Sequence, residues 1–193
     1  DGMAWQVRRS PVLTPAGDEM AVNRPCVVKA GGRFRMWYTA ETKEGIRIRS
    51  AVSGDGIAWT RAGGEFPPNA GEASGPSVMF DERSGVYRMY YVRGGLAAGR
   101  PACAESRDGV TWREKPCSFS ADKRLPWEQA IESVQVTQSD GWFYAFFTSA
   151  ATPGGPRALC VARSRTGTGP WERFAWNPIL TPEPGTWRDD EVS

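Results

Sequence analysis

Acid–base chemistry in this chain must run without histidine, because its 193 residues contain none. That removes Ser-His-Asp and Cys-His catalysis, histidine-ligated zinc and the usual near-neutral proton shuttle. Proton transfer falls to Asp, Glu, Lys, Tyr or Cys. Glu132 is the most conspicuous carboxylate, lying in the apolar, small-residue stretch Ile131-Glu-Ser-Val-Gln-Val136. A charge there is costly unless it meets water or a partner. Glu132 therefore either faces a wet channel or forms a structural ion pair, for which Arg24 is the candidate. Further carboxylates are Asp18 beside Glu19, Glu72, and the run Asp189, Asp190, Glu191. Each of these also reads as an ordinary solvated loop. Asp55 and Asp108 precede glycines and read as turn formers. The four cysteines, at 26, 103, 117 and 160, form no CxxC pair, which disfavours a thiolate zinc site. Cys103 and Cys117 could bridge a hairpin, or all four could be small buried hydrophobes. No phosphate-binding or dinucleotide-binding glycine loop is present, so no cofactor is expected. A carboxylate-held calcium is allowed, but nothing in the spacing demands it.

Composition narrows the classes. Lys and Arg total 24 against 22 Asp and Glu, a net charge of +2, where nucleic-acid binding expects a strong basic excess. The hydrophobic share of 40% is enough to bury a core. No run approaches the ~18 apolar residues of a membrane-spanning helix. Nine tryptophans and eight phenylalanines argue against disorder. The length suits one domain, taken as residues 1–193. No signal peptide is visible at Asp1, which fits a cytoplasmic protein or a mature exported one.

The elements that must position these groups recur along the chain. Ser53-Gly-Asp-Gly-Ile-Ala-Trp59 returns as Ser106-Arg-Asp-Gly-Val-Thr-Trp112 and, degenerately, as Ser164-Arg-Thr-Gly-Thr-Gly-Pro-Trp171. Upstream of each lies an aromatic strand: Phe34-Arg-Met-Trp-Tyr-Thr39, Tyr87-Arg-Met-Tyr-Tyr-Val92 and Tyr144-Ala-Phe-Phe-Thr148. Before those come Arg24-Pro-Cys-Val-Val28, Gly75-Pro-Ser-Val-Met79 and Glu132-Ser-Val-Gln-Val136. Ser10-Pro-Val-Leu-Thr-Pro15 returns as Asn177-Pro-Ile-Leu-Thr-Pro182. A unit of four short strands recurring every ~50 residues, with glycine turns and aromatics, predicts an all-β fold, a β-propeller of four-stranded antiparallel blades. The blades fall near 10–62, 63–116 and 117–176, with a fourth starting over 177–193. A β-sandwich is the alternative. Trp59 and Trp112 are expected between neighbouring sheets. Trp37, Tyr90 and Phe146 align with one another and are expected in the core, with Trp5 and Trp176 structural. The best helix candidate is residues 123–129. Such an arc exposes two sheet edges, so it is expected to be part of a longer propeller or to complete a ring as a homo-oligomer.

The Asp-Gly turns, the Gly75-Pro-Ser-Val78 and Tyr87-Arg-Met-Tyr-Tyr91 strands and the Asn177-Pro-Ile-Leu-Thr-Pro182 opener resemble the five-bladed β-propeller glycosidases. These include the arabinanases and xylosidases of glycoside hydrolase family 43, the invertase and levansucrase group, and the family 130 mannoside phosphorylases. The likeness covers nearly the whole chain. Sialidases offer a second resemblance, but their Asp-box is one residue longer than the turn here.

The first resemblance implies cleavage of glycosidic bonds by two carboxyl groups, one a protonated acid and one a base or nucleophile. In those families the residue before the small or proline position of each inner strand is, in turn, an Asp base, an Asp that tunes pKa, and a Glu acid. Here Glu132 matches the acid, while Arg24 and Gly75 stand where the aspartates would be. Asp18 and Glu72 are the candidates for the missing carboxylate. Arg24, Trp127 and Trp187 are the candidate substrate-binding residues, the tryptophans as platforms for sugar rings. The expected partner is an oligo- or polysaccharide, with no nucleic acid and no membrane. The expected function is a glycosidase-like hydrolase or transferase; the alternatives are a carbohydrate-binding propeller without turnover and a scaffold that pairs through its open edges.

Overall fold

Alternation of apolar and polar residues, broken by glycine turns, gives twelve strands and no helix among the described residues of the computed structural model, which are 3–67, 71–94, 99–152 and 155–183. The first sheet holds β1 (Glu19–Ala30), β2 (Arg33–Thr42), β3 (Gly45–Ser53) and β4 (Thr60–Phe66). The second holds β5 (Ala73–Asp81), β6 (Val86–Arg93), β7 (Arg100–Ser106) and β8 (Arg113–Lys115). The third holds β9 (Ala130–Ser139), β10 (Trp142–Ala150), β11 (Arg157–Ser164) and β12 (Glu172–Arg173). Every pairing is antiparallel and follows chain order, so each sheet is a meander with its first strand on one edge. These are propeller blades; the sheets do not close on themselves. The stretch after β12 turns back along β11, where Leu180 bridges Leu159 and the Asn177 side chain pairs with the Val161 backbone.

The turns follow from local chemistry. Gly31 and Gly32, at φ 58° and 77°, and Asp140 and Gly141, at φ 50° and 74°, take the paired positive φ of a tight hairpin. In the Asp-Gly turns the Ser53 hydroxyl accepts the Gly56 N–H at 2.8 Å and the Asp55 carboxylate accepts those of Ile57 and Ala58 at 2.7 and 2.8 Å. Ser106 and Asp108 repeat the arrangement. In the third copy Thr166 takes the aspartate's place and accepts the Thr168 and Gly169 N–H groups. Asp55 and Asp108 are thus turn formers, their carboxyls held low by these amides.

The sheets pack by one repeated joint. The Trp37 indole donates to the Gly109 carbonyl at 3.0 Å, entering the Asp-Gly turn of the second sheet. Tyr90 stands in the same relation to the third sheet: a Cβ on Gly167 would fall 2.5 Å from its hydroxyl. Between the first and second sheets Trp37, Ile48 and Phe66 pack on Val78, Met89 and Tyr91. Between the second and third, Tyr90 and Cys103 pack on Val134, Phe147 and Phe119.

Several expectations are corrected. Trp37 and Tyr90 are each 1% exposed, but Phe146, at the same repeat position, is 39% exposed because no sheet of the described residues covers that face of the third blade. Trp112 does lie between sheets, edge-on to Trp37 at 5.8 Å; Trp59 instead packs with Leu13 on the outer face of the first sheet. Trp5 and Trp176 are exposed. Residues 123–129 form two successive turns, Leu125 N–H to Asp122 O and Glu128 N–H to Leu125 O, not a helix. Pro126 lacks an N–H, and the stretch is too short to propagate one. All four cysteines are free thiols, Cys103 and Cys160 buried and Cys26 and Cys117 half-buried.

Candidate functional site

β1, β5 and β9 are the first strands of their sheets, and they pack side by side, β5 against β1 and β9 against β5. Each carries a bulge. In β1 the pairs Asn23–Thr39 and Cys26–Trp37 leave Arg24 and Pro25 opposite the single residue Tyr38. In β5 the pairs Ser74–Val92 and Ser77–Tyr90 leave Gly75 and Pro76 opposite Tyr91. In β9 Ile131 pairs with Ser149 and Ser133 with Thr148, so Glu132 is the extra residue. A bulge re-aims the side chain it carries, and bulges concentrate beside active sites. The structure therefore sets Arg24, Gly75 and Glu132 on bulges of three adjacent inner strands. The β9 bulge lies about one rung further from its hairpin turn than the other two.

Glu132 is 7% exposed, and its carboxylate is ion-paired with the Arg157 Nε of β11. The partner is thus Arg157, not Arg24. Arg24 is exposed and makes no hydrogen bond or ion pair with any described residue. Its stem lies over β5, where a Cβ on Gly75 would stand 3.8 Å from Arg24 Cδ. The Gly75 N–H donates to Thr39 Oγ1 at 2.9 Å, linking the first two sheets.

The other candidates are not on the bulges. Asp18, just before β1, is gripped by both Arg49 nitrogens at 2.7 and 2.9 Å. That bond holds its carboxyl down at about 2. Glu72, just before β5, is half-buried beside Gly45 and Arg47; its Oε1 would stand 3.2 Å from a Cβ on Gly45. Trp127, just before β9, is half-buried against the third-sheet core, and its carbonyl accepts the Ser149 hydroxyl at 2.8 Å. Trp187, Asp189, Asp190 and Glu191 lie outside the described residues. Among the described residues no group of three or more carboxylates or thiols converges to hold a metal. A cleft of about 860 Å³ opens elsewhere, between the second and third sheets at their hairpin ends, lined by Phe80, Arg88, Glu105 and Phe143.

Two buried charge pairs went unforeseen. Glu19, its side chain fully enclosed, accepts Arg61 and the Tyr38 hydroxyl. Glu128, equally enclosed, pairs with Arg173. In both, a glutamate at an inner strand's start meets an arginine of its sheet's last strand. In the strand register Arg61 stands opposite Ala51 and Arg173 opposite Ala162, a placement that no local pattern in the sequence signals.

Comparison with known proteins agrees with this architecture. The chain superposes on a thermostable family 43 glycoside hydrolase with a TM-score of 0.70 at 18% identity, over 84% of this chain and 57% of that one. Zg3597, a family 117 glycoside hydrolase of the marine bacterium Zobellia galactanivorans, gives 0.66 at 18% identity, over 83% and 57%. A family 130 structure, from a family of mannoside phosphorylases that contains glycoside hydrolases targeting β-1,2 mannosidic linkages in Candida mannan, gives 0.62 at 18% identity, over 84% and 52%. The chain thus shares the fold of the five-bladed glycoside hydrolase propellers, as a partial propeller. In sequence it is 35% identical over 108 residues to the uncharacterized protein Rv1502 of Mycobacterium tuberculosis, covering 50% of this chain. The chain spans 35% of that relative's length. No family model matches.

Proposed function

We propose that the inner strands of this arc form a carbohydrate-binding hub with glycosidase-like chemistry. Glu132, once protonated and parted from Arg157, donates the proton to the leaving oxygen, and Asp18 or Glu72 supplies the second carboxylate. The supporting observation is the placement of Glu132, a buried carboxylate on the bulge of the third inner strand, in a fold shared with glycoside hydrolases. Cleavage of a glycosidic bond takes one proton donor and one base or nucleophile. Asp18, kept ionised by Arg49, suits the base or nucleophile and not the acid. Arg24, Trp127 and Trp187 are the residues assigned to the sugar.

A second reading is carbohydrate binding without turnover. It is favoured by Arg24 and Gly75, because neither can take a proton at the two inner-strand positions where the resemblance asks for acids. One experiment separates the two. Wild type and Glu132→Gln are compared for hydrolysis of an aryl-glycoside panel and for oligosaccharide binding, with circular dichroism checking the fold. Hydrolysis reduced at least about 100-fold with binding kept is the expected result. Full activity in Glu132→Gln removes the assignment, and wild-type binding with no turnover selects the second reading.

A further inference from the structure

At the β1 bulge the backbone runs through φ 49°, and at the β5 bulge through φ 62°. Gly75 fills the second, where a positive φ carries no steric penalty. An arginine fills the first, in a conformation that side chains with a Cβ disfavour. The bulge itself is thus better served by glycine. No described residue bonds to the guanidinium in exchange. Arg47, Arg49 and Arg61 of the same sheet are all bonded to carboxylates or carbonyls, whereas Arg24 has no such partner among the described residues. With only hydrogen at Gly75, whose added Cβ would stand 3.7 Å from Arg24 Nη1, the exposed guanidinium lies over the β5 bulge. Strained backbone that serves no structural contact is a mark of functional sites.

We infer that Arg24 is an anion-recognition residue, and that the sugar bound at the hub carries a negative charge, as a uronate carboxylate or a sulfate ester. This rests on the carbohydrate reading above and narrows its substrate class. A guanidinium is always charged and offers a planar fork that two oxygens of such a group can meet at once. A neutral sugar offers hydroxyls, for which water competes on nearly equal terms.

The test is calorimetric binding of three probes of matched length to wild type, Arg24→Gly and Arg24→Lys. The probes are an oligogalacturonide, a sulfated galactan oligosaccharide and a neutral galacto-oligosaccharide. Thermal unfolding is measured alongside. Arg24→Gly is expected to weaken the acidic probe at least tenfold more than the neutral one. It should also raise the melting temperature by about 2–4 °C as the strain is relieved. Arg24→Lys is expected to recover part of the affinity, and added salt to weaken the wild-type complex. The acidic probe that binds identifies the group. Acidic binding unchanged in Arg24→Gly, or a wild type that binds only the neutral probe, overturns the inference and leaves the carbohydrate reading standing. A wild type that binds none of the three overturns both.

Discussion

Glu19 shows how a single buried carboxylate governs one corner of the molecule. Burial pushes its carboxyl up, but Arg61, the Tyr38 hydroxyl and the Ala16 N–H together hold it below the ordinary value. Burial and the neighbouring Glu19 in turn push the Tyr38 phenol up to about 12. A carboxyl lowered in the folded state adds stability that is complete above its free value, about 4.3. That stability is lost as the pH falls through the folded value. Chemical denaturation midpoints of wild type should therefore drop on acidification below about pH 4.5 more steeply than those of Glu19→Gln. At pH 7 the variant should be less stable by about 1–3 kcal/mol, the consequence of leaving Arg61 short of its acceptor. The sequence displays Asp18 beside Glu19 but not their division of labour. Asp18 meets Arg49, 31 residues on, in solvent; Glu19 meets Arg61, 42 residues on, in the interior. Strand register decides those partners, and register is set by the whole sheet. Glu132 and Arg157 were separated in the sequence for the same reason.

At the level of elements, one position in the repeat has two different fates. Trp37 and Tyr90 are enclosed by the following sheet's turn, and Phe146 is not. Trp37→Ala should destabilise by about 3–5 kcal/mol. Phe146→Ala should change stability by less than about 1 kcal/mol. Equilibrium unfolding in urea, both variants beside wild type, measures the difference; equal losses would contradict the joint described here. The aromatic repeat and the Asp-Gly turns were legible in the sequence because serine, aspartate and glycine act on their own neighbours. The exposure of Phe146 was not legible, because it depends on what lies beyond the strand. The bulge that re-aims Glu132 was hidden too, since the residue skipped in the pairing is fixed by β10, not by β9.

The whole molecule is an arc whose middle member is its firmest. The second sheet is packed on both faces, and Met89, Tyr90, Tyr91 and Val92 of β6 are each at most 1% exposed. β12, by contrast, is two residues long at the edge of the sheet whose outer face no described sheet covers. Amide hydrogen exchange should be slowest in β6 and fastest in the short edge strands β8 and β12, since local opening follows burial and contact. Fast exchange in β6 would contradict a shared core between the three sheets.

The side of the third sheet that no described sheet covers has a consequence for how such a molecule grows. Phe146 stands ready in the stance that Trp37 and Tyr90 adopt toward their sockets. Another copy of the same unit, bringing a serine, an aspartate and a glycine in its loop, would meet a mating surface already shaped for it. Lengthening the array then calls for duplication, not for the invention of a new fit.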